Sequence, residues 1–199
     1  IKSAKKLFKN YPLTHFPVLE NNKLLGSFAE DDIRIIEHKK DELVVYAHLL
    51  SSFFADEKAT VLELLKIFAD NDTNIIPVLN EEKNYLGYYD LRDVLDVFSS
   101  SPFMTEVSET LIVKKNENDF SMSEVAQIVE VNKGKLLGAY ISEKSDEFMH
   151  ITLKIVSSNI NEMMHTFRRY NYEIISTHEN DIYLEAVSYT HLTLPTIYS

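Results

Sequence analysis

The chain has 199 residues, 45% of them hydrophobic and 26% charged, with acids outnumbering bases 31 to 20 for a net charge of −11. That apolar share supplies a globular core and excludes a collagenous or largely disordered chain. The acidic balance argues against nucleic acid, whose phosphates are held by Lys and Arg, and the absence of cysteine excludes disulfides, thiol nucleophiles and Cys-ligated zinc.

The longest apolar stretch, Leu43 to Phe54, carries His48 and two serines and is shorter than the roughly 20 apolar residues that cross a bilayer. We expect no membrane contact and a cytoplasmic location. The chain begins at Ile1 rather than Met, so its natural start is expected upstream.

Helical spacing first shows at Ala4, Leu7 and Phe8. Pro17-Val18-Leu19 then opens a strand, Asn21-Asn22 makes a polar turn, and a second strand runs through Leu25-Gly26. Asp32 lies six positions after Gly26, at the start of a short helix holding Ile33 and Ile36. The same order returns. A strand such as Ser52–Phe54 leads into a helix with Val61, Leu64, Leu65 and Phe68 on one face, opened by a Thr60/Glu63 capping box. Pro77-Val78-Leu79, the turn at Glu81-Glu82, Leu86-Gly87 and Asp93 then repeat the first copy's spacing, and a helix with Val94, Leu95 and Phe98 closes it. In both copies proline is read at the first strand position, where its missing N–H is tolerated.

After Ser99-Ser100-Ser101-Pro102 the repeat stops, and a linker reaches about Glu109. Thr110–Lys114 reads as a strand, and Ser121/Glu124 as a capping box opening a helix with Met122, Val125, Ile128 and Val129 on one face. Leu136–Ile141 and Met149–Val156 are strands, the latter alternating at Ile151, Leu153 and Ile155. Asn159 caps a helix bearing Ile160, Met163, Met164 and Phe167, and Glu173–Ser176 and Ile182–Ala186 are further strands. The tail Ser188–Ser199 continues no pattern and is expected to be cloning-derived.

The duplicated first half, roughly residues 1–103, resembles a tandem pair of CBS domains, a Bateman module named after cystathionine beta-synthase. The fold class expected is α+β: two β-α-β-β-α units over 1–49 and 50–103, followed by a ferredoxin-like βαββαβ domain over 109–187. The first copy starts at its helix and is expected to be N-terminally truncated. The second half resembles an ACT domain in its element order. A CBS pair followed by ACT is similar to acetoin-utilisation-type regulatory proteins. The ACT resemblance implies a homodimer through edge-to-edge sheets. The loop Asn118-Asp119-Phe120-Ser121 lacks the Pro-Gly that often accompanies amino-acid binding there, so a packing or dimerisation role is expected.

The CBS resemblance also implies clefts for adenosine-containing ligands. The family's pattern after the strand glycine is two apolar residues, Ser or Thr, two variable residues and Asp, whose carboxylate accepts hydrogen bonds from ribose hydroxyls. Asp32 and Asp93 stand at the Asp position, but the hydroxyl position holds Ala29 and Asp90. The first cleft would then be formed by Phe16, Pro17 and Asp32, edged by Glu30 and Asp31 with Arg34 the nearby base. The second would be formed by Ile76, Pro77, Asp90, Arg92 and Asp93. Carboxylates at both repel polyphosphate, so a ligand is expected at the second site and with little phosphate charge: adenosine, AMP or S-adenosylmethionine. The alternative is that both Asp residues only cap helices and both clefts are vestigial.

Catalysis is not expected. The seven histidines are scattered, with no His-x-x-x-His pair, nucleophile elbow or Gly-rich phosphate loop. No metal or resident cofactor is expected. The leading reading is a regulatory protein responding to a small-molecule effector, and the alternative is a dimeric scaffold.

Overall fold

A computed structural model describes residues 1–37 and 43–176. The expected strand Ile182–Ala186 and the tail from Ser188 lie outside the described residues. Contacts divide the chain into two compact units, Ile1–Ser100 and Ser101–Ser199.

The first unit begins with α1 (Lys2–Asn10), which buries Ala4 and Phe8 but leaves Leu7 41% exposed, so the apolar face is narrower than its spacing predicts. Strands β1 (His15–Glu20) and β2 (Lys23–Ala29) form an antiparallel hairpin. The two-residue turn between them is Asn21-Asn22, both at positive φ, a conformation asparagine tolerates. Helix α2 (Glu30–Ile35) follows, then a 3-10 segment at Leu43–Leu49. The core of this copy joins Phe8, Phe28, Ile33 and Ile36, with Leu43, Tyr46 and Leu49 packed against it.

The second copy is β3 (Ala55–Asp56), α3 (Val61–Asp70), β4 (Ile75–Leu79), β5 (Tyr85–Asp90) and α4 (Leu91–Ser99). Its sheet order is β3-β4-β5, parallel then antiparallel. The leading strand is Ala55–Asp56, not Ser52–Phe54; Ser51, just upstream, bridges back to Ser27 of the first copy. The Thr60/Glu63 capping box forms in full, and Leu64 and Phe68 of α3 are buried with Phe53, Ala55, Ile76 and Val94.

Pro17 and Pro77 stand at the third strand residue rather than the first. For Pro17 the reason is visible. Ser27 exchanges both backbone hydrogen bonds with Ser51, at 2.8 and 2.9 Å, on the side of β2 away from β1. Pro17, opposite Ser27, therefore sits at a non-hydrogen-bonded position where no ladder bond is lost. A bulge lies beside each strand glycine: the register skips Leu25 and Leu86, next to Gly26 and Gly87 at φ +148° and +155°.

The second unit opens with α5 (Pro102–Thr105), a short helix inside the segment read as a linker. Its Phe103 ring lies against Gly138, where a Cβ would meet the ring at 2.6 Å. Then come β6 (Glu109–Asn116), α6 (Met122–Val131), β7 (Lys135–Lys144), β8 (Phe148–Val156), α7 (Ile160–Arg169) and β9 (Glu173–Ser176). The sheet is antiparallel throughout in the order β7-β8-β6-β9, the split βαβ arrangement expected from the element order. Ile151, Leu153 and Ile155 of β8 are fully buried against Val125, Ile128 and Val129 of α6 and Met163 and Phe167 of α7. Met122 is 39% exposed and leaves that face. Asn159 caps α7, accepting from the Glu162 N–H at 3.2 Å. Ser121 caps α6, but Glu124 does not return the bond; its carboxylate pairs with Lys115 instead.

Candidate ligand groove and the seam between repeats

The two copies of the first unit meet at equivalent positions. Thr14 and Asn74 stand three residues before Pro17 and Pro77. The Thr14 N–H donates to Asn74 Oδ1 at 2.9 Å, and the Asn74 N–H donates to Thr14 Oγ1 at 3.0 Å. Asn74 Nδ2 also donates to the Pro12 carbonyl at 2.7 Å. At the hairpin tips, Lys23 bridges to Asn84, its counterpart in the second copy. A local two-fold relation thus joins the copies at both ends.

The seam also holds the start of each Asp-bearing helix. The Thr14 carbonyl accepts from the Glu30 N–H at 2.8 Å, and the Asn74 carbonyl accepts from the Leu91 N–H at 2.9 Å. Side chains pair the copies while carbonyls of the same residues fix α2 and α4.

At the start of α4, Asn74, Asp90, Leu91, Arg92, Leu95 and Asp96 line a groove of about 390 Å³. Asp90 is the N-cap and accepts from the Arg92 N–H at 2.8 Å, an acceptor complementing the unpaired amides of the first turn. The Arg92 guanidinium has no hydrogen-bond or ion-pair partner among the described residues. Of the second-site residues, Asp90 and Arg92 come together here. Asp93, third in the helix, is exposed beside the groove and caps nothing. Ile76 is fully buried in the core of the second copy, so its side chain is unavailable to a ligand, and Pro77 is buried one strand position on. The sequence does not mark Asn74 or Asp96, and it assigns Leu95 to the apolar face of the closing helix, where it is instead 45% exposed; aligning the copies at their prolines does place polar Asn74 opposite polar Thr14.

The first site is organised differently. Phe16 packs edge-on against Phe8 at 4.8 Å between centroids, as part of the first core, and Pro17 is half-buried. Asp32 is half-buried at the third position of α2, whose N-cap Ala29 offers no side-chain bond, so Asp32 is not a cap either. The nearby base, Arg34, is committed to Glu30 at 2.8 Å and Asp31 at 3.5 Å. The charge of Asp32 instead acts on His15, a buried residue only 8% exposed. Burial lowers the His15 pKa, opposed by the charges of Asp32 and Asp72.

A larger hollow of about 470 Å³ lies between Phe54, Lys58 and α3, and holds none of the residues predicted from sequence. Its lysines are already paired, Lys58 with Glu81 at 2.6 Å and Lys66 with Asp70 at 2.7 Å. Among the described residues no cluster of His, Asp and Glu could hold a metal ion, and no helix is long and apolar enough to cross a membrane.

Residues 50–100 match the CBS domain family. No curated protein matches the chain. Solved structures similar to part of it include a CBS domain pair/ACT domain protein from Thermotoga maritima, 18% identical over 49% of this chain and 80% of that one, TM-score 0.44. A CBS domain protein from Shewanella oneidensis MR-1 is 18% identical over 50% and 82%, TM-score 0.38. CBSX2 in complex with AMP is 14% identical over 49% and 80%, TM-score 0.40.

Proposed function

We propose that this protein is a non-catalytic, cytoplasmic regulator that binds an adenosine-containing ligand of low phosphate charge in the groove at the start of α4. The match of residues 50–100, its second repeat, to the CBS domain family supports a regulatory role. The observation that carries the reading is the uncommitted guanidinium of Arg92 in a groove otherwise edged by Asp90 and Asp96. A guanidinium fork matches one phosphate, and carboxylates accept from ribose hydroxyls. Each further phosphate would face Asp90, Asp93 and Asp96 as like charge. Adenosine, AMP and S-adenosylmethionine fit that balance better than ATP. The groove's volume lies within the range of small-molecule sites.

Regulation follows from Asn74, which lines the groove and bonds Thr14 across the seam. A ligand that binds one arrangement of the repeats more tightly shifts the population toward it. The second unit, an ACT-like domain in this reading, dimerises the chain and passes the change to a partner.

A thermal-shift and calorimetric screen with adenosine, AMP, ADP, ATP and S-adenosylmethionine tests this. A saturable shift with AMP, weaker with ATP, is expected. Arg92→Ala should remove the preference for AMP over adenosine, and Asp93→Ala, beside the groove, should weaken adenosyl binding with the fold intact. A second reading, a dimeric scaffold with vestigial clefts, is favoured by the N-cap bond that already engages Asp90. In that case no nucleotide shifts the melting temperature, while dilution lowers it by dissociating the dimer.

A further inference from the structure

His15 lies on the seam, not in the groove, and its surroundings give it a separate role. Its Nδ1 is 3.0 Å from Thr14 Oγ1, the atom that accepts the Asn74 N–H. The ring meets Phe53 edge-on at 5.3 Å, an apolar neighbour from the segment leading into the second copy. Nε2 has no hydrogen-bond partner among the described residues. The charged groups facing it are Asp32 of α2 and Asp72 of the turn before β4; Glu30 and Asp31, on the same helical turn as Asp32, are paired with Arg34.

The Thr14 hydroxyl has one proton and several acceptors in reach: His15 Nδ1, Asn74 Oδ1 at 3.1 Å and Thr73 Oγ1 at 3.4 Å. A neutral imidazole can share this network as donor or acceptor. An imidazolium can only donate: its Nδ1–H competes with the Asn74 N–H for the Thr14 hydroxyl oxygen, and its Nε2–H meets no partner among the described residues. We propose that protonation of His15 loosens the Thr14–Asn74 seam, making the pairing of the two repeats sensitive to pH.

The sign follows from burial. Desolvation disfavours the charged ring by more than Asp32 and Asp72 favour it, so the folded pKa lies below the ordinary value of about 6.5. Between the two values the unfolded chain binds more protons, and stability falls as pH falls. The contact that yields is the one the new Nδ1–H competes with, the Asn74 N–H on Thr14 Oγ1 across the seam. The inference does not depend on any ligand.

An NMR titration of the full chain from pH 8 to 5 tests it. The His15 ring should titrate below about 6.5, and the Thr14 and Asn74 amides should move with the same midpoint. Their hydrogen-exchange protection, corrected for intrinsic rates, should fall by about tenfold or more across that midpoint. His15→Asn, which keeps a polar atom near Nδ1 but no titration, should abolish the amide movement. Asp32→Asn should lower the His15 midpoint further. A ring that titrates at or above the ordinary value, or seam amides that stay protected while His15 titrates, would overturn the proposal. Both of these readings come from the unaltered chain, so they stand if a variant fails to fold.

Discussion

Thr14 and Asn74, 60 positions apart in the chain, bond each other reciprocally: the backbone N–H of each donates to the side-chain oxygen of the other. The two residues differ in type, yet each satisfies its partner's amide as a helix cap would. Because their carbonyls also hold the first residues of α2 and α4, the same pair sets both the join between repeats and the positions of the candidate clefts.

Asn74→Ala removes the two bonds to Asn74 Oδ1 and the bond to Pro12, all half-buried or exposed. At about 0.5–1.5 kcal/mol each, the expected loss is about 2–3 kcal/mol. Asn74→Thr, which copies the first repeat, should recover part of it. Urea denaturation would show this as a lower midpoint at unchanged slope. In a double-mutant cycle Thr14→Ala and Asn74→Ala should be strongly non-additive; additivity would mean the two do not support each other.

The Thr60 cap of α3 is a cleaner case. Glu63 accepts from both the Thr60 N–H and the Thr60 hydroxyl at 2.7 Å, while Thr60 accepts from the Glu63 N–H. Thr60→Ala should cost about 1 kcal/mol at neutral pH. The bonds from Thr60 lower the Glu63 pKa. A lowered carboxylate contributes stability that is present above its unfolded pKa and lost as pH falls through the folded one. The wild-type advantage over Thr60→Ala should therefore shrink in acid, as followed by melting temperature from pH 7 to 3.

The strand glycines separate conformation from space. A Cβ on Gly87 would meet nothing within 4 Å, whereas one on Gly26 would lie 2.8 Å from Leu50 Cβ and 3.0 Å from the Ser51 carbonyl oxygen. Both hold a positive φ that other residues adopt at a cost of about 1–3 kcal/mol. Gly87→Ala should show that cost alone. Gly26→Ala should lose more, because Leu50 and Ser51 must also shift. Equal losses in denaturant midpoint would mean the 50–51 segment yields freely.

What the sequence made legible follows from the range of each interaction. Capping at Thr60 and Asn159 spans three residues, and the alternation in β8 is a period of two against one core, so both could be read locally. The repeat was visible because Pro, Gly and Asp recur at fixed spacing. The seam was not, since a bond between Thr14 and Asn74 exists only once two copies dock. Pro17 fell within its strand because Ser51 satisfies the far edge of β2, a long-range fact. Spacing alone assigns Leu7 and Met122 to buried faces, and both lie at the margins of those faces. Of the second-site residues, Asp90 and Arg92 line the groove, whereas the resemblance places Ile76 beside the ligand although every residue of β4 is buried and Ile76 packs in the core.

A largely buried ion pair organises the polar cluster of the second unit. The Lys115 side chain is only 9% exposed and pairs with Glu124, 28% exposed, while its ammonium lies 4.3 Å from the centre of the Tyr172 ring. Removing the charge from Glu124 leaves a buried cation without its counter-ion, which costs more than an intact pair contributes. Because Glu124 keeps some access to water, Glu124→Gln should lose about 1–3 kcal/mol, toward the lower end. The Lys115 hydrogen bond is the main cause of the lowered Glu124 pKa. This contribution is therefore fully present above the ordinary carboxylate range and lost as pH falls through the lowered value. The difference in urea midpoint between wild type and Glu124→Gln should hold steady from pH 7 to 5 and shrink toward pH 3. Tyr172→Phe provides the contrast. The Tyr172 hydroxyl lies beside Glu124 without a hydrogen bond of good geometry, and burial raises its pKa. Deleting that oxygen should change stability by no more than about 0.5 kcal/mol. A large loss in Tyr172→Phe, or a Glu124→Gln difference that persists undiminished at pH 3, would show that the cluster is held by the phenol rather than by the Lys115–Glu124 pair.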